Sequence, residues 1–418
     1  MDAGDDADRP MDAADDGLGA GAAGQSADAT EPIDTGARDA QLNAVTGLAG
    51  RERVRAFDLA AGLAVFFMIL VHVLWHWGRP ETWTTPIGEA ISYAAGPTAA
   101  PVFVFLMGAS LGAARQARTS TLVTRGLWLL FLGYVLNFLR GVIPGSLGTA
   151  FGVVTPDQIW PYTPWWLATT VDLHHVVGLS LCAIALLRTR SQPNAWWLVL
   201  GGLIVLASPW LRTVQFGTPL LDAPLTPILG SAPNVYYAVV PWLVYPLAGA
   251  VFGAAMARAI DRTRLFRRGA AIGMVLLLLG GALILATHPG FDVFTYWRQP
   301  PAFPVAIMGV ILVWLALCDA VTRFRAIDRR LTVVYGWSHR VIAMYFTHWI
   351  LVGWGAGIVG FRALGLGPVL VAMAVAVVLT SYLSRFAVKL EASPWLRRAP
   401  GGSEVAVEVE VPAEAAAA

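Results

Sequence analysis

Residues 53–77 read RVRAFDLAAGLAVFFMILVHVLWHW. A basic cluster opens the stretch and an almost unbroken apolar run follows, long enough to cross a bilayer as one helix. Set into it are Asp58, His72 and His76. Ionisable side chains at membrane depth are costly, so each needs a partner, a cavity or a function.

The rest of the chain fits that start. Of its 418 residues 56% are hydrophobic and only 13% charged, against roughly a quarter charged in soluble domains. The mean hydropathy is +0.61. An all-α, polytopic membrane helix bundle is the expected fold. Residues 1–50 carry eleven acids and two arginines without apolar periodicity, a composition that cannot bury a core. The expected division is a disordered acidic tail over 1–50, a transmembrane domain over 51–398 and a second acidic tail over 399–418. No apolar stretch in the first 50 residues suggests a signal peptide. Cys182 and Cys318 fall inside apolar spans, where they read as small buried hydrophobes.

Ten apolar windows are expected to span, near 57–77, 87–113, 122–143, 172–188, 195–211, 235–257, 269–287, 303–322, 334–356 and 366–388. Pro97 and Pro101 should kink the second. Arginines crowd every alternate loop: Arg51, Arg53 and Arg55; Arg115, Arg118 and Arg125; Arg188 and Arg190; Arg258 to Arg268; Arg323 to Arg330; Arg385 to Arg398. Short arginine-rich loops stay in the cytoplasm, which predicts a multi-pass cell-membrane protein with both termini cytoplasmic. Six of the seven histidines then fall in the outer half.

His72 and His76 share a helix face. His76, near the interface between Trp75 and Trp77, reads mainly as a packed histidine, whereas the depth of His72 points to function. Asp58 lies about 21 Å along the axis from His72, too far to touch it, and suits an ion pair with an arginine at its own end. In VDLHHVVGL, Asp172 caps a helix start or joins His174 and His175 in a site. A zinc site there lacks a second ligand set, and no metal is expected. His348, in MYFTHWIL, divides evenly between a site residue and a satisfied core histidine. Phosphate-binding and hydrolase signatures are not found.

RVRAFDLAAGLAVFFMILVH followed by APVFVFLMGASLG (100–112) resembles the opening of the heparan-α-glucosaminide N-acetyltransferase-like proteins. DLHHVVGLSL, VPWLVYPLAGAVFGAAM and SHRVIAMYFTHWILVGW follow in the expected order, so the resemblance spans roughly 51–388. The spacing into His72 is also similar to that of the membrane acyltransferase-3 proteins. The resemblance implies a ten- or eleven-helix fold that moves an acyl group, usually acetyl, from cytoplasmic acyl-CoA to a sugar hydroxyl or amine on the far side. It implies a catalytic role for His72, and it matches Arg53, Arg55 and Asp58 to the family's basic–acidic opening and Gly108 and Ser110 to a small-residue turn. These five are the residues expected at the acetyl-CoA donor. The arginine that this resemblance places before Gly62 is Ala61 here.

Imidazole suits a base working near neutral pH, so His72, with His348 and His175, forms the candidate catalytic set. His76, Asp172 and His174 are the candidate acceptor-binding residues. The expected partners are the bilayer, acyl-CoA, an extracytoplasmic glycan or other small acceptor, and at most a second copy in a homodimer; nucleic acid is not expected. The alternative reading is a proton-coupled small-solute transporter, in which the same polar residues relay protons. A non-catalytic membrane scaffold is a third.

Overall fold

The computed structural model describes residues 54–114, 118–288 and 293–391. Arg53 and both proposed tails lie outside the described residues. The principal helices are α1 (Arg55–Trp77), α2 (Pro86–Thr98), α3 (Ala100–Ala113), α4 (Thr119–Asn137), α5 (Ile143–Ala150), α6 (Leu173–Arg188), α7 (Ala195–Leu211), α8 (Val244–Arg258), α9 (Arg262–Thr287), α10 (Ala302–Arg323), α11 (Thr332–Ser338), α12 (Val341–Val359) and α13 (Leu366–Glu391).

The described part of the chain is an all-α membrane bundle. All ten expected spans fall on helices. Among the described residues, eight helical segments are long and apolar enough to cross a membrane, while α6 and α7 are shorter, at 16 and 17 residues. The second span breaks where its prolines predict, at Ala99 (φ −92°, ψ −92°) between α2 and α3. Two expectations are corrected. The window 334–356 is two helices, because the chain turns at His339 and Arg340 between α11 and α12. The window 122–143 runs on to Ala150, with a single π-helical turn, Phe138–Val142, joining α4 to α5.

α1 is apolar on nearly every side, the pattern of a helix surrounded by others. It touches α2, α3, α10, α11, α12 and α13, and half of its residues are buried. Around it, helices pair at backbone distance, the packing that membrane interiors favour where interfaces carry small residues. In the α3–α8 pair a Cβ on Gly108 would lie 2.1 Å from the Pro246 carbonyl oxygen, and one on Gly253 1.9 Å from that of Ala109. α9–α10 and α4–α6 pair in the same manner, at Gly280 against Ala306 and at Gly126 against Gly178.

The connection 144–171, expected as a loop, begins with α5 and contains two short helices, Pro156–Ile159 and Pro164–Thr169. Each starts at a Thr-Pro pair whose threonine oxygen accepts a hydrogen bond from the third helical N–H, at Gln158 and Trp166. Past α12 the chain returns over the end of α1: Arg362 N–H donates to the His76 carbonyl and Leu364 N–H to that of Trp77, both at 2.8 Å.

Candidate active site

The deep polar residues of α1 and α12 meet. His72 Nδ1 and His348 Nε2 are 3.0 Å apart, with the rings nearly parallel. His348 Nδ1 lies 3.1 Å from the Met344 carbonyl oxygen one turn back on its own helix. A carbonyl only accepts, so in the neutral ring Nδ1 of His348 carries the proton and Nε2 is bare. Nδ1 of His72 must then donate to it. The remaining lone pair of the dyad is on Nε2 of His72. The same logic protonates Nδ1 of His76, which donates to the His72 carbonyl at 2.9 Å. The ring of His76 stands edge-on, 6.1 Å from that of His72.

The second group sits where α6 begins. Asp172 caps that helix, accepting the Leu173 N–H at 2.7 Å, and its own backbone N–H donates to His175 Nδ1 at 3.0 Å. His175 therefore carries its proton on Nε2, and its ring lies over Gly133, where an added Cβ would come within 2.7 Å. The ring of His174 meets that of Tyr345 at 4.4 Å, and Tyr345 stands 5.2 Å from His348. Both histidine groups thus converge on α12.

One residue that the sequence reading passed over joins them. Arg140 lies in the π turn, its side chain 10% exposed, and pairs with the Asp172 carboxylate at 2.5 Å. It also donates to Asn137 Oδ1 at 3.0 Å, and Asn137 holds the Thr170 carbonyl at 2.7 Å. The guanidinium sits 4.1 Å from the Trp349 ring centroid, a cation–π distance, and the His72 ring is 4.0 Å from the same indole. The wide turn is what the sequence hides. An extra residue in the helix re-aims the side chains that follow it, and such turns cluster at functional sites. The available signal was an arginine alone in the apolar run NFLRGVIPG.

The donor residues expected from the resemblance do not gather here. Arg55 pairs with buried Asp328, which also accepts the Tyr335 hydroxyl, and Ser338 donates to Asp58 at 3.4 Å. That cluster lies at the opposite end of α1, the end where Arg188 donates to the Leu111 and Ala114 carbonyls and so ties α6 to the end of α3. Gly108 is filled by the backbone of α8, and Ser110 bonds to the Leu106 carbonyl of its own helix. Ala61 packs against the core. Among the described residues no group of three His, Cys, Asp or Glu side chains is arranged to hold a metal.

The imidazole dyad, with His348 buried, His72 half-buried and a lone pair left on His72 Nε2, lies beside a buried arginine–carboxylate pair within a membrane bundle, an arrangement chemically able to accept a proton. Residues 53–286 match the family described as "heparan-alpha-glucosaminide N-acetyltransferase, catalytic". The match covers more than half of the chain, and the chain belongs to that family of membrane acetyltransferases. Comparison with curated proteins found no match.

Proposed function

We propose that the protein transfers an acetyl group from cytoplasmic acetyl-CoA to a hydroxyl or amine of a glycan or similar small acceptor on the other side of the cell membrane, with both termini cytoplasmic. The observation that supports this reading best is the His72–His348 pair. His348, fixed by the Met344 carbonyl, orients His72 and leaves Nε2 of His72 to accept a proton. As the acceptor oxygen or nitrogen attacks the thioester carbonyl, its proton moves to that nitrogen. Collapse of the tetrahedral intermediate expels the CoA thiolate, and the proton passes to the sulfur, regenerating the neutral dyad.

The arginine-rich end of the bundle suits the polyanionic donor, since guanidinium groups bind phosphate in a bidentate manner. His175 and His174 flank the acceptor side with Asp172. The test is incubation of the purified protein with radiolabelled acetyl-CoA and glucosamine. Wild type should label the sugar. His72→Ala should lower kcat by about 10²–10⁴-fold while the protein stays folded, and His76→Ala should change it far less. Full activity in His72→Ala would remove the base from this scheme. Absence of transfer, together with solute flux that His72→Ala abolishes, would establish a proton-coupled transporter instead.

A further inference from the structure

Beside His72 the bundle leaves a cavity of about 40 Å³ whose wall is partly polar. His72, Asp172, Tyr237, Tyr296 and Tyr345 all border it, and side chains of α1 and of the break between α2 and α3 are among those that complete it. The three tyrosines differ in what their hydroxyls do. Tyr296 donates to the Gly96 carbonyl at 2.5 Å, so its proton is engaged. The hydroxyl of Tyr237 meets the Trp297 indole, and that of Tyr345 meets the Trp349 indole. An indole N–H donates and cannot accept, so among the described residues neither of these two hydroxyl protons has an acceptor.

Tyr345 is the better placed of the two. It is 4% exposed and lies three residues before His348 on α12, so one helix fixes it relative to the histidine pair. Its ring stands 5.2 Å from that of His348, and the ring of His72 stands 5.3 Å from the same imidazole. Tyr237 belongs instead to the irregular chain before Val239.

The geometry points to the Tyr345 hydroxyl as the oxyanion donor of the transfer step. This assignment rests on the acetyltransferase reading above. The acceptor's lone pair forms the new bond to the thioester carbon, His72 takes the acceptor's proton, and the carbonyl π electrons move onto the oxygen. A hydrogen bond from Tyr345 stabilises that charge while the phenol keeps its proton. As the C=O bond re-forms, the C–S bond breaks, the thiolate leaves with the electron pair, and the proton on His72 passes to the sulfur. Tyr345 ends the cycle unchanged. Asp172, the carboxylate on the same wall, is neutralised by Arg140 and so opposes the charge little. A donor aimed at charge that develops only in the transition state raises kcat and leaves ground-state binding alone.

The experiment replaces Tyr345, Tyr237 and Tyr245 by phenylalanine, one at a time, and compares them with wild type and His72→Ala in the acetyl-CoA and glucosamine assay. Each tyrosine variant keeps the ring and removes one oxygen. Tyr345→Phe should lower kcat about 10²–10³-fold, the usual loss for one oxyanion donor, with KM for both substrates unchanged. Its Tm should stay close to wild type, since the hydroxyl donates no bond within the protein. Its residual rate should keep the wild-type pH profile, because the base is untouched. Tyr245→Phe should do the reverse, lowering Tm at unchanged kcat, because that buried hydroxyl donates to Gln299 Oε1 at 2.7 Å. A Tyr345→Phe variant as fast as wild type would overturn the assignment, as would a loss of rate confined to Tyr237→Phe. A matching fall of Tm and kcat in Tyr345→Phe would overturn it too, by making the hydroxyl a support of the fold. Wild-type transfer that His72→Ala abolishes and Tyr345→Phe retains removes the tyrosine alone. If wild type transfers no acetyl, the acetyltransferase reading falls and the oxyanion donor falls with it.

Discussion

The Arg140–Asp172 pair is a charge interaction held almost entirely out of solvent. Its worth lies in completeness: losing one partner of a buried pair strands the other charge and costs about 3–5 kcal/mol, whereas replacing both by apolar residues is often neutral. Arg140→Ala and Asp172→Asn should therefore each lower the detergent-solubilised Tm sharply. The double variant Arg140→Met/Asp172→Leu should recover most of it but lack transfer, since the site regains neither the Asp172 carboxylate nor the cation over the Trp349 ring. Thermal unfolding and the acetyl-CoA assay together separate the two effects. His72 was legible in the sequence because an imidazole in an apolar run has no inexpensive explanation. Arg140 was equally anomalous, but it sat within one turn of an assumed loop, where an arginine needs none. The pairing His72–His348 spans 276 positions and left no local mark in the sequence.

At the scale of elements, the apolar windows located the helices well because each helix must satisfy its own backbone in lipid, and only continuous apolar runs do so. The interruptions were harder to see. The turn at His339–Arg340 and the π turn at Phe138–Val142 are set by what packs against them, and hydropathy does not register that. The π turn is matched by Gly353 of α12, where a Cβ would stand 1.7 Å from the Arg140 carbonyl oxygen. Gly353→Ala should thus push α12, with His348 and Trp349, away from Arg140, and both Tm and kcat should fall. Gly202, on α7, has open space beside it, and Gly202→Ala should leave both unchanged or raise Tm slightly. Equal behaviour of the two variants in a melting and turnover assay would show that the close approach has no influence.

Over the whole molecule, the arginines that mark alternate loops in the sequence are the feature from which orientation follows. Under the proposed orientation, with both termini cytoplasmic, single cysteines placed between 258 and 268 should be shielded from a membrane-impermeant maleimide in intact cells. Cysteines placed between 219 and 229 should react. The reverse pattern would invert the proposed direction of transfer and separate the donor from the arginine-rich end.

The helices are also unequal in length. α7, which exposes Leu198, Val199, Leu203, Leu206 and Trp210, has 17 residues and is roughly 25 Å long, less than a typical hydrocarbon core of about 30 Å. α9, which exposes Ile272, Val275, Leu278 and Leu285, has 26 residues, but four arginines crowd its first seven, and its apolar part over 269–287 is roughly 28 Å long, close to the core thickness. Lipid must therefore adapt to α7, thinning beside it, while it meets α9 without strain. The bilayer is thus pinched on one flank of the protein. Turnover should consequently depend on acyl-chain length of the host lipid, with an optimum that shifts toward thinner bilayers when α7 is shortened.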